Sequence, residues 1–428
     1  MLAFSGFLKT VALAAVFVTS FAYATRDEVP GECPPKVANL QLSDQLARAG
    51  VRGAQIEFSL ALLQELAPGL LREKKNLVMS PYSISAAMTL LRAGATGKSA
   101  QQLDRVLGYA LMYSALSFDD IMLGHQLLAG DIRDSNGGGS EIKTSNALWM
   151  GNQFSCNPTF RDRLKTYFSA PVEVVEFGTP AALAKINRQI STDTGGMIDP
   201  FLQQTSSSDS AILTNAIHFD GSWETPFDPK KTYSADFQCL DGSKKSVKLM
   251  SRKDKYHSVQ SAKYTSVRLP LAGGKLHVDL ILPKGNLDRF IADLKGNELA
   301  EISRSLDGAD QDSFVLELPR LELNFSMDLI PAFQSLGLKA PFQQKSGPDF
   351  SGMLNGDGGT SVNDLFVTLI KHVAVLSLDE KGVRAAATTA VGVKRSLPRR
   401  VRFDRPFLLV IGDKQNNPLF VTAIAEPE

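Results

Sequence analysis

The chain has 428 residues, with 46 lysines and arginines against 45 aspartates and glutamates and a hydrophobic content of 43%. That is long enough to bury a sizeable core, and charge this evenly balanced gives no global drive toward nucleic acid or an anionic membrane. Three cysteines, Cys33, Cys156 and Cys239, are too few for a disulfide framework; one pair plus a free thiol, or three unpaired thiols, would both fit.

Residues 1–24 read as a signal peptide. Lys9 precedes an apolar run from Val11 to Ala24, and Ala22-Tyr23-Ala24 is a small-residue cleavage pattern. The run falls short of the roughly 20 apolar residues of a membrane span, and no later stretch supplies one. Secretion, or delivery to a secretory organelle, is expected. Residues 25–54 are polar and turn-rich and read as an extended N-terminal tail, and the length that remains would by itself suggest two or three domains. Apolar residues at helical spacing (Phe58, Leu62, Leu63, Leu66) predict a first helix over 56–71. Asn76 to Met79 reads as a short strand, and Ser80-Pro81 opens a helix as an N-cap and first helical position should. The segment from Gly94 to Ser99 imitates part of a phosphate-binding loop. Arg92 stands where the motif needs its first glycine, and the residues before it have helical rather than strand periodicity, so nucleotide binding is not expected.

Residues 111–129 read as a helix and 134–140 as a loop. Strands follow over 142–150 and 172–175, with helices over 157–167 and 181–194, the latter ending at Gly195-Gly196. A strand over 211–219 leads into a turn at Asp220 to Trp223. Strands then dominate from Lys248 through Leu282, a helix starts at Leu287, and 314–325 reads as one more strand. Asn324-Phe325-Ser326 is a possible glycosylation acceptor. There is no nucleophile elbow and no zinc-binding helix, and His125, His218, His257, His277 and His372 are scattered without metal-ligand spacing. The chain does not read as an enzyme, and no cofactor or metal is called for.

The stretch from Glu380 to Phe407 is the most informative. By strand parity Val383, Ala385, Ala387, Thr389, Val391 and Val393 share one face; Arg384, Ala386, Thr388, Ala390, Gly392 and Lys394 share the other. One face is uncharged and fit for burial, yet the residues are too small for a good permanent core strand. A loop able to become a strand fits them better. Glu380-Lys381-Gly382, the run Ala385-Ala386-Ala387-Thr388-Thr389, then Arg395-Ser396-Leu397 and Phe403-Asp404-Arg405-Pro406-Phe407 resemble the hinge, reactive-centre loop and following strand of a serpin. The block from Asn76 to Gly108, Asn215-Ala216-Ile217 with Trp223, Asp349 to Gly352, and Pro418 to Val421 extend the similarity across residues 55–428.

The resemblance implies a single domain over 55–428 with an α+β serpin fold of three β-sheets and about eight or nine helices, and an exposed reactive-centre loop near 380–402. It implies a suicide-type inhibitor of trypsin-like serine proteases, trapping the enzyme covalently as the cut loop enters the main sheet. Arg395-Ser396 would be the reactive bond. Counting back from Pro406-Phe407 gives Arg395 and counting forward from Glu380 gives Ser396; a guanidinium suits the acidic pocket of such proteases. The hinge would comprise Glu380, Gly382, Val383, Ala385, Ala386, Ala387, Thr388 and Thr389, although Val383 stands where the family favours Thr or Ser. His372 is similar to a serpin histidine that meets an Asn across the sheet opening, with Asn187 as the matching partner; Ser80, Ser83 and Trp223 would belong to the same switch. The acidic 134–140 region argues against heparin as a partner, and Lys394, Arg395, Arg399, Arg400 and Arg402 read as exposed loop and solvated strand edge rather than a polyanion site. A monomer is expected. The alternative is a non-inhibitory serpin acting as a carrier or chaperone.

Overall fold

The structure, a computed structural model, describes residues 36–344, 348–355, 364–381 and 399–427. The first helix, α1 (Lys36–Arg72), begins well before the expected start, so residues 36–54 are helical rather than an extended tail. Ala47, Val51 and Ala54 recur at helical spacing and are buried. They are small because α1 lies close to its neighbour α4: a Cβ on Gly124 would come within 2.5 Å of the Ala47 carbonyl.

After β1 (Leu77–Met79), Ser80 caps α2 (Pro81–Gly94), whose residues are almost all buried. A short α3 (Gly97–Val106) precedes α4 (Phe118–Ser135). The expected helix over 111–129 starts late, because a reciprocal cap between Ser117 and Asp120 fixes its first turn, and it extends into the expected loop. Next come β2 (Ser140–Gly151), α5 (Pro158–Phe168), β3 (Val172–Val175), α6 (Pro180–Thr194) and β4 (Ala211–Gly221); α6 stops at Gly195, where φ is +66°.

Strands β5 (Tyr233–Gln238), β6 (Lys244–Gln260), β7 (Tyr264–Pro270) and β8 (Leu276–Pro283) follow, then α7 (Leu287–Asp293) and α8 (Glu298–Asp307). The strand expected over 314–325 is two strands, β9 (Gln311–Pro319) and β10 (Leu321–Asp328), which belong to different sheets. Helix α9 (Ile330–Ser335), β11 (Val367–Leu378), β12 (Arg400–Arg402), β13 (Phe407–Asp413) and β14 (Pro418–Ile424) complete the described α-helices and strands.

A five-stranded sheet runs β10-β11-β4-β2-β3 and a nine-stranded one β1-β14-β13-β8-β7-β6-β9-β12, with β5 also on β6. The nine-stranded assembly joins two faces through the long β6: residues 244–257 pair with β5 and β9, and 257–260 pair with β7. Two of the three expected sheets thus share one strand. The inner face of the five-stranded sheet packs on α2 in the main core, and α6 covers its outer face through a separate cluster of Trp149, Ile186, Ile190, Phe201, Ile212 and Ala216.

Candidate functional site

Within the five-stranded sheet β4 and β11 are parallel neighbours, while β10–β11 and β2–β4 are antiparallel. Parallel ladders are somewhat weaker per residue, so this pair is a weak seam inside the sheet; β2–β3, the other parallel pair, lies at its edge. At its middle a polar row crosses strands in register: His372 on β11 stands opposite Asn215 on β4, which stands opposite Asn146 on β2. The His372 Nδ1–H donates to the Asn215 side-chain carbonyl at 2.5 Å. The Asn215 amide donates to the Ser83 hydroxyl at 2.6 Å, the Ser83 carbonyl at 3.0 Å and Asn146 Oδ1 at 2.5 Å. Burial drives the His372 pKa down to about 3, only partly opposed by the Val78 main chain, so the imidazole is neutral. The row is therefore hydrogen-bonded but uncharged.

The expected partner of His372 was Asn187, and the structure assigns that place to Asn215. Side chains alternate along a strand: His372 points to the α2 side, whereas Asn187 rides on α6 over the opposite face. There Asn187 accepts from the Phe201 and Leu202 amides at 3.1 and 2.8 Å and donates to the Leu202 carbonyl at 2.9 Å, clipping the segment after α6 to its helix. Ser83 joins the row directly. Ser80 does not; it accepts from the Ser83 amide at 3.2 Å and donates to the Leu419 carbonyl at 2.6 Å, tying the head of α2 to β14.

At the upper end of β11 the chain is pinned before it leaves the sheet. The Trp223 indole donates to the Asp379 carbonyl at 2.6 Å, and the Phe227 and Trp223 amides donate to the Glu380 and Lys381 carbonyls at 3.1 and 3.0 Å. Trp223 is buried edge-on against Phe227. The Glu380 carboxylate accepts from Arg320 Nε at 2.8 and 2.7 Å and from the Thr232 hydroxyl at 2.5 Å. Burial would raise its pKa, but Arg320 and Thr232 outweigh that and hold it below the ordinary value.

Gly382, Val383, the run Ala385 to Thr389, Lys394, Arg395 and Ser396 lie outside the described residues. The chain is described again from Arg399, whose carbonyl accepts from the Val315 amide at 2.9 Å. There β12 lies parallel to β9, and the buried Glu317 carboxylate accepts from Arg400 at 2.9 Å and Arg402 at 2.6 Å. Arg399 pairs with Asp312 at 3.2 Å. These three arginines thus have carboxylate partners.

Other motifs resolve simply. The imitation phosphate loop is closed by Asp349, which accepts from the Thr96 hydroxyl. Asn324 is exposed on β10. Cys156 and Cys239 are both buried free thiols, and Cys33 lies outside the described residues. No described helix is long and apolar enough to cross a membrane. Sequence reasoning missed Arg320, Asn146 and Glu317. Asn215 was read as part of a motif but not as the partner of His372; a polar Asn in the middle of the apolar run from Ala211 to Phe219 was the signal for that role.

The family model described as "Serpin (serine protease inhibitor)" matches residues 53–427. A serine protease inhibitor of Cyanea capillata is 30% identical over 365 residues, covering 83% of this chain and 93% of the relative. Human antithrombin-III is 28% identical over 415 residues, covering 94% and 86%. Among solved structures, Manduca sexta serpin-12 superposes with a TM-score of 0.75 at 23% identity, covering 87% of this chain and 98% of that one. Fold, seam and matched span agree, and the chain belongs to the serpin family.

Proposed function

We propose that the protein is a secreted suicide-type inhibitor of trypsin-like serine proteases that presents Arg395-Ser396 to its target. The observation that carries this reading is the parallel β4–β11 seam. A segment that follows β11 and folds back on it would run antiparallel to β11 and, once between the two strands, antiparallel to β4 as well. One weak ladder would be exchanged for two stronger ones.

The chemistry follows from that exchange. The protease serine attacks the Arg395 carbonyl, the Ser396 amine leaves, and Arg395 remains as an ester on the enzyme. The freed segment from Gly382 onward then enters the seam with Val383, Ala385, Ala387 and Thr389 on one uncharged face, carrying the protease with it. Insertion of a reactive loop into a sheet is the general serpin form of β-strand addition. About ten new ladder bonds at roughly 1 kcal/mol each give a gain on the order of 10 kcal/mol before ordering costs. A protease domain is stable by only about 5 to 15 kcal/mol, so the displacement is able to distort it. In this reading Ser83, Asn215 and His372 hold the seam shut, Ser80 and Asn187 anchor the elements on either face, and Trp223 and Glu380 set the point from which the hinge swings. The leader-like residues 1–24 support secretion, and the exposed Asn324 is the position for glycosylation.

The test is to mix the protein with trypsin and run a denaturing gel. A covalent complex, together with a released fragment whose N-terminus is Ser396, is the expected result. Quantitative cleavage without complex would replace this reading by the carrier or chaperone one.

A further inference from the structure

A cleft of about 510 Å³ opens between the outer ends of β7 and β8 and the pair α7–α8, remote from the seam. Its floor is apolar: Phe290, Leu294 and Ile302 are buried, and the Tyr264 ring meets Phe290 edge-on with centroids 6.0 Å apart. The floor is held in place from below, where Gln64 of α1 donates to the carbonyls of Ile291 and Leu294 at 3.0 and 2.9 Å. The volume lies within the usual range of small-molecule sites, roughly 300 to 1,000 Å³.

The two ends of the cleft differ in charge. At one, Lys263 and Lys284 face each other across the hairpin: Tyr264 pairs with Pro283 in register, and the Lys284 amide donates to the Lys263 carbonyl at 2.8 Å. Residues directly opposite each other share a face, and like charges placed so repel. Among the described residues neither ammonium has a carboxylate partner. Arg289 adds a third cation, whose partner among the described residues is Asp293 at 4.0 Å, with both groups well exposed. At the other end the Tyr264 hydroxyl stands near Ser305, Glu298 and Glu301, which together present acceptors. Glu298 is partly engaged, accepting from the Lys295 amide at 2.8 Å.

We infer that this cleft binds a small aromatic acid: its flat apolar body lies over Phe290, Leu294 and Ile302, its anionic group bridges Lys263 and Lys284, and a hydrogen-bond donor at its far end meets the Tyr264–Glu301 wall. The bound anion would relieve the lysine repulsion that the free protein carries. The inference is independent of the inhibitory reading.

Anilinonaphthalene sulfonate has that chemistry and serves as the probe, titrated into the intact protein by fluorescence and calorimetry. The expected result is saturable binding at one site. Lys263→Glu combined with Lys284→Glu should weaken it at least tenfold, and Ser305→Trp, which fills the cleft from an exposed position, should abolish it. Both variants should melt near the parent temperature and leave the reaction with trypsin unchanged. Non-saturable binding, or affinities in both variants within twofold of the parent, would overturn the assignment.

Discussion

Two polar clusters lie at the centres of the two sheets, and they are built on opposite principles. In the five-stranded sheet, His372, Asn215, Asn146 and Ser83 are joined by neutral hydrogen bonds across the β4–β11 seam. In the nine-stranded sheet, Arg268 on β7 donates to both oxygens of the fully buried Asp279 on β8 at 2.6 and 2.7 Å. The same guanidinium donates to the Ser303 carbonyl and Asn416 Oδ1 at 2.8 Å and meets Asp307. Burial would raise the Asp279 pKa, but Arg268 and His277 reverse that and keep it below its ordinary value. Separating a buried ion pair strands charge in the core, whereas parting neutral groups strands only a hydrogen bond. Parting the first sheet at its middle would therefore cost less than parting the second between β7 and β8.

The largest test of this contrast is cleavage itself. Protein clipped at Arg395-Ser396 should gain stability on the order of 10 kcal/mol, seen as a higher melting temperature; an unchanged melting point would mean that the seam accepts no strand. In the other sheet, Asp279→Ala leaves Arg268 without its buried carboxylate and should cost about 3 to 5 kcal/mol in denaturant unfolding. His372→Ala, which leaves the Asn215 carbonyl unsatisfied, should cost less, about 1 to 3 kcal/mol. A loss as large as that of the Asp279 variant would erase the distinction.

Acidification sharpens the contrast further. Burial depresses the pKa of His372 to about 3, and that of His125, which sits against Tyr109 and Thr89, to about 3 as well. Unfolded, each takes a proton near the ordinary value of about 6.5. Stability from these groups is therefore complete above about pH 6.5 and falls as pH drops toward 3. His372→Gln should flatten that slope by up to about 1.4 kcal/mol per pH unit. Smallest of all, Glu380→Gln weakens a pair whose Arg320 side chain is 45% exposed. A loss of about 1 kcal/mol in unfolding is expected.

Much of this was legible in the sequence because it depends on local pattern. Ser80-Pro81, the Gly195 stop and the strand at Val172 to Val175 were read from adjacent residues. The early turns of α1 were not, because their buried face consists of alanines and one valine and gives little contrast with the polar residues between. The Asn215 pairing was misread for a different reason. It depends on the parallel register of strands whose paired residues are 157 positions apart, and on the face each side chain takes. The Arg268–Asp279 pair escaped notice because opposite charges in two apolar strands look like ordinary solvated positions until the sheet is folded over them.

The described segments 379–381 and 399–403 are held by different parts of the fold: Trp223 and Phe227, between β4 and β5, grip the first, while Glu317 and the β9 ladder grip the second. On the proposed reading, a cut between the two held segments would release a strand for the seam while leaving both grips intact. Under the proposed function, the target enzyme would supply the one step that the folded chain does not perform on itself.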